Sequence, residues 1–109
     1  KMLPIKCLTI HCAATPEGRD VKASTIAQWG RDRFGQVSYH RVIELDGTDV
    51  RLLPDNKRGA HVGGANSGNI GICYVGGMDR EMKRAKDTRT PAQMAMLKAV
   101  VAEYRARYP

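Results

Sequence analysis

Three histidines carry most of the chemical capacity of this chain: His11 in IHCAAT, His40 in SYHRV and His61 in GAHVGGAN. An imidazole can bind a metal or trade protons near neutrality. His11 closes the short apolar run IKCLTIHCA, which reads as a strand over residues 5–13. Strand side chains alternate faces, so Leu8, Ile10 and Cys12 point one way and Thr9, His11 and Ala13 the other. The first face is apolar and reads as core. The second ends in an imidazole where strand meets loop, which is where open sheets place their sites. Two readings stand for His11: a zinc ligand or general base, or a hydrogen-bonded structural histidine. Cys12 faces away from it and reads as a small buried hydrophobe.

Tyr39 and His40 are neighbours on a second strand, so at most one of them faces a given site. A tyrosine there can donate a hydrogen bond to a developing oxyanion, or simply pack its ring and wet its hydroxyl. His61 lies among glycines, which let backbone approach a ligand closely. Asn66 could read a sugar or peptide amide. The alternative for both is a flexible surface loop. Cys73, inside IGICYV, reads as core. The sequence has no G-x-S-x-G elbow, P-loop, C-x-x-C pair or H-E-x-x-H motif.

These residues need elements to position them. Residues 22–33 predict a helix with Ile26 and Trp29 on one face, weakened by Gly30. Tyr39 to Leu45 and Asp49 to Leu53 predict a hairpin about Asp46-Gly47. Residues 54–68 form a long loop, a length usually tied to binding. Ile70 to Val75 is the most apolar segment and predicts a central strand, ended by Gly76-Gly77. Met78 to Arg89 is charged and predicted to be exposed. Thr90, Pro91 and Gln93 spell a capping box with proline in the first turn. The helix that follows carries Met94, Leu97, Val101 and Tyr104 as an apolar stripe.

The whole is a single domain: 109 residues, 42% hydrophobic and 27% charged, is ordinary for one globular core. No apolar run approaches the roughly 20 residues of a membrane helix, so no membrane is expected as a partner. The segment KMLPIKCLTIHC does not read as a signal peptide. Three cysteines are too few for a disulfide framework and fit reduced thiols. The formal net charge of +7 favours an anionic partner without choosing one. Nucleic acid is disfavoured, because aromatics are only 6% and leave little for base stacking.

Taken in order, IHCAAT, SYHRVIELDGT, GAHVGGANSGNIGICYVGGMD and TPAQMAMLKAVVAEYRARYP resemble the N-acetylmuramoyl-L-alanine amidases of the phage-lysozyme type. That superfamily includes the peptidoglycan recognition proteins. The resemblance implies an α/β fold, a mixed central β-sheet flanked by α-helices, with a zinc site in a groove on one sheet face. It implies hydrolysis of the amide between N-acetylmuramic acid and L-alanine in bacterial peptidoglycan. On the matching motifs His11 is the zinc ligand and Tyr39 the catalytic residue near the attacking water and oxyanion. His61 and Asn66 match the groove wall as substrate contacts, and Trp29 a structural first-helix tryptophan. The resemblance further implies a phage or prophage endolysin, cytoplasmic until released to the cell wall.

The chain also departs from that pattern. In the family a histidine, then a cysteine or aspartate, follow the last helix as the other two Zn2+ ligands. Residues 1–109 therefore read as an amidase-like domain truncated after the helix at about 91–107. A non-catalytic muropeptide-binding module is the alternative. Truncation would expose apolar surface beside the last helix, over which a homodimer could form. Ser38 stands where a glycine is usual, and Gly30 where a larger residue is usual.

Overall fold

A computed structural model describes residues 4–109. Its elements run β1 (Cys7–Cys12), β2 (Thr15–Pro16), α1 (Ala23–Phe34), β3 (Arg41–Ile43), β4 (Asp49–Arg51), β5 (Asn69–Tyr74), β6 (Gly77–Met78) and α2 (Pro91–Arg107). The main sheet has the order β1-β5-β3-β4. β5 is parallel to both neighbours and β4 antiparallel to β3, so the sheet is mixed. β2 and β6 make a separate parallel pair, in a stretch expected only to break the chain.

The two-residue period of β5 sorts the core into two layers. Ile70 and Ile72 join Ile43, Leu97, Val100 and Tyr104 under α2. Cys73 joins Val42, Val75, Ala23 and Ile26 under α1. β5 is buried on both faces, which is why it reads as one continuous apolar run. The expected mixed sheet flanked by helices is the observed fold.

Both helices begin as elementary physics requires, by different means. Thr90 Oγ1 accepts from the Gln93 amide, and the Gln93 side chain accepts from the Thr90 amide, the predicted box. α1 has no such side chain at its start, and Lys22 makes no cap bond. Instead the buried Glu44 carboxylate, just past β3, accepts from the Ala23 amide at 2.7 Å. It satisfies an orphan donor and meets the positive end of the helix dipole.

Three expectations need correction. Ile10 is 46% exposed and Cys12 is exposed, because β1 is the sheet edge and α2 covers β5 and β3. Only Leu8 of that face packs into the α2 layer. The buried stripe of α2 is Gln93, Leu97, Val100 and Tyr104, not the Met94 and Val101 series, so the helix sits slightly rotated. Met94 and Val101 instead line a groove of about 350 Å³ with Ile10 and Leu97. Trp29 is 47% exposed, since α1 buries Ala23, Ile26, Ala27 and Gly30 and leaves the indole at the margin.

Candidate active site

Parallel register places His11 opposite Cys73 and Thr9 opposite Gly71. Those side chains share the α1 face of the sheet. His11 is half-buried at the C-terminal end of β1. The 54–68 loop returns across this face and lays the His61 ring on Gly71. A Cβ built on Gly71 would lie 2.7 Å from His61 ring atoms, so only glycine leaves room. A glycine inside an apolar strand signals such a close approach, and the sequence carried that signal in IGICYV.

His61 and His11 meet directly: His11 Nε2 and His61 Nδ1 are 3.0 Å apart. The other ring nitrogen of His61 lies 3.0 Å from the Asn69 carbonyl oxygen. Both nitrogens of His61 are thus used inside the protein. Asn66 folds the same loop, its Oδ1 accepting from the amides of His61 and Val62 at 3.0 and 2.8 Å. Its NH2 group carries no hydrogen bond among the described residues. Asn69 is buried, donating to the Ala65 carbonyl and accepting from the Thr9 hydroxyl.

Tyr39 comes to the site from the segment before β3. Its ring centroid lies 5.4 Å from His11 and 6.3 Å from His61. Tyr39 and His40 both precede β3, and the His40 ring also comes within 6.1 Å of His61, but Tyr39 is the one that pairs with His11. His40 is fully buried, with Nε2 against the Lys57 carbonyl and Nδ1 accepting from the Gly71 amide. It is a structural histidine that ties the loop to β5.

Burial sets the protonation states. It holds His11 below the ordinary imidazole value, with His61 adding to the effect. Burial does the same to His61. Both rings are therefore neutral at pH 7, the state in which an imidazole binds a metal. Burial, reinforced by the Cys73 thiol beside it, pushes the Tyr39 hydroxyl up to about 12. Tyr39 stays a neutral hydrogen-bond donor. Cys73 is buried in the core as expected, and its thiol is pushed to about 12 by burial.

Beside Tyr39 opens a hollow of about 150 Å³, with Trp29, Arg33, Phe34 and Ser38 in its wall. Sequence reasoning missed this aromatic margin. The resemblance gave Trp29 a structural role, and helical spacing alone does not reveal which residue falls at the edge of the buried face.

Residues 1–109 match the family described as N-acetylmuramoyl-L-alanine amidase. The chain belongs to that family. It is 38% identical over 101 residues to an endolysin of Enterobacteria phage K11, covering 92% of this chain and 66% of that protein. It is 35% identical over 100 residues to the endolysin of Escherichia phage T7, covering 91% and 66%. The chain thus spans about two-thirds of the length of these relatives.

Among solved structures it is similar to the N-acetylmuramoyl-L-alanine amidase LysC from Clostridium intestinale. That match has a TM-score of 0.78 and 25% identity, over 95% of this chain and 64% of that one. It shares its fold with bumblebee PGRP-SA, at a TM-score of 0.76 and 22% identity, over 98% and 65%.

Zinc would be the family's metal, and a catalytic zinc needs three protein donors. Among the described residues no three histidine, cysteine, aspartate or glutamate side chains converge. His11 offers one neutral imidazole with one nitrogen uncommitted. The described residues alone do not complete a zinc site.

Proposed function

We propose that this chain forms the substrate-facing part of a peptidoglycan amidase. The bond cut is the amide joining the lactyl group of N-acetylmuramic acid to L-alanine of the stem peptide. The observation that supports this best is the pairing of His11 with Tyr39, whose other side lines a hollow, in a chain of the amidase family.

The roles are these. His11 is one metal ligand, and the other donors of a three-ligand site are not among residues 4–109. Zinc, when bound, polarises an amide carbonyl and lowers the pKa of a bound water. Tyr39, held neutral by burial, donates to the oxygen that gains charge. The loop carrying His61 and Asn66 forms a wall of the groove, and the free NH2 of Asn66 is its polar contact to substrate. The net charge of +7 favours an anionic wall polymer. In this reading the protein acts at the cell wall after release from the cytoplasm.

Two observations support a second reading, a muropeptide-binding module without catalysis: the incomplete donor set, and the fold shared with peptidoglycan recognition proteins. One experiment separates the two. Purified peptidoglycan is incubated with the intact protein and with its His11→Ala variant, with added Zn2+ or with chelator. New L-alanine amino termini that need Zn2+ and vanish in His11→Ala support the amidase. Retention on peptidoglycan in chelator, with no new termini, supports the binding module. Neither release nor retention removes both.

A further inference from the structure

We propose that His61 is a positioning residue that locks His11 in its Nε2–H tautomer and leaves Nδ1 as the nitrogen offered to the groove. This rests on the reading of His11 as a metal ligand. It assigns His61 a task beyond that of a groove wall.

The argument is one of donors and acceptors. A backbone carbonyl only accepts, so the Asn69 oxygen 3.0 Å from His61 Nε2 requires the proton of His61 to sit on Nε2. A neutral imidazole carries one N–H, so His61 Nδ1 is bare and accepts. The atom 3.0 Å away, His11 Nε2, must then be the donor. Neutral His11 is bare at Nδ1. That atom has no hydrogen-bond partner among the described residues. Metal-binding histidines usually donate their other N–H in just this way, which fixes tautomer and ring orientation.

The acceptor chain is itself held rigid. The Asn69 carboxamide is tied to Thr9 Oγ1 at 2.9 Å and to the Ala65 carbonyl at 3.0 Å. The His61 ring lies on Gly71 with no space for a Cβ beneath it, and its edge also abuts Gly59. The ring therefore cannot tilt away from His11 without displacing the loop. With both nitrogens spent, His61 has no polar group left for a substrate.

The test is side-chain NMR of the 15N-labelled chain above pH 7.5, reading protonation of each imidazole nitrogen. The expected result is His11 protonated at Nε2 and bare at Nδ1, with His61 in the same tautomer. A slowly exchanging His11 Nε2 proton should be visible. His61→Leu should lose that slow proton, while backbone spectra of β5 and α2 stay in place. His61→Asn puts an amide oxygen near the position of Nδ1 and should restore the slow proton. His11 bare at Nε2, or a slow proton that survives His61→Leu, overturns the proposal. Should His61→Leu fail to fold, the wild-type tautomers and the Asn variant still decide it.

Zn2+ alone, added to the wild-type chain, should move the His11 Nδ1 resonance. The response should weaken by about 10-fold or more in His61→Leu. Coordination through Nε2 overturns the proposal. Absence of any response at His11 tells against metal binding by these residues on their own, and the tautomers decide the hydrogen-bond relay.

Discussion

Gly30 of α1 and Ser38 of the segment leading to Tyr39 are mutually exclusive in size. A Cβ on Gly30 would lie 2.8 Å from both the amide nitrogen and the hydroxyl of Ser38, and 3.0 Å from the Gln36 carbonyl. The bare glycine at 30 thus makes room for both the backbone and the hydroxyl of the segment that leads to Tyr39.

Gly30→Ala should therefore destabilise the chain, although alanine is the better helix former. The propensity gain is about 1 kcal/mol, against roughly 1–3 kcal/mol for overpacking. Adding Ser38→Gly should recover only part of the loss, since the backbone contacts remain. Urea unfolding of the single and double variants measures this. A Gly30→Ala protein more stable than wild type would refute the packing argument.

Gln93 links three backbone groups. Its Nε2 donates to the carbonyls of Val75 and Ile43 at 2.9 and 3.3 Å, and its Oε1 accepts from the Thr90 amide. Gln93→Leu keeps helix propensity but orphans the buried Val75 carbonyl and opens the capping box, while the Ile43 carbonyl keeps the Val75 amide at 3.0 Å. The expected loss is about 2–3 kcal/mol. Thermal melting checks it, and a loss under 0.5 kcal/mol, the usual size for a surface change, would contradict the role.

Alkaline stability has a definite sign. Burial raises Cys73 to about 12 and burial, with Cys73 second, raises Tyr39 to about 12. The unfolded chain loses these protons earlier, near the ordinary thiol and phenol values of 9.0 and 10.0. Stability from the two groups is therefore complete below about pH 9 and is lost as pH rises towards 12. Cys73→Ala should flatten the first part of that decline, read as the denaturation midpoint from pH 8 to 11. An unchanged slope would contradict the thiol's role.

Asp55 contributes on the acid side. Burial opposes its ionisation, but hydrogen bonds from Tyr104, Tyr108 and Arg107 outweigh it and hold the carboxyl below its ordinary value. Distances are 2.8 Å to Tyr104, 2.9 Å to Tyr108 and 2.9 Å to Arg107. Its stabilisation is present above the unfolded carboxyl pKa near 3.8 and is lost as pH falls through the folded value. Asp55→Asn should cost about 2 kcal/mol at pH 7 and reduce the pH dependence below pH 4. Equal acid slopes in the two proteins would overturn this.

Local physics made some of this structure readable without coordinates. The capping box and proline define the start of α2, the apolar run IGICYV defines β5, and Asp46-Gly47 turns the hairpin with Gly47 at φ +88°. Each depends on residues within a few positions of one another. The motif order pointed to the family, and alternation along β1 separated His11 from Cys12. Strand order decided what spacing could not. With β1 at the edge and α2 set over β5 and β3, Ile10 and Cys12 stay exposed although their pattern reads as core. The meeting of His61 with His11 spans 50 residues and depends on a loop seated on Gly71, a glycine that signals a close approach without telling which ring makes it. The sequence determined which residues could do chemistry; only the packed sheet and the returning loop decided which of them face one another.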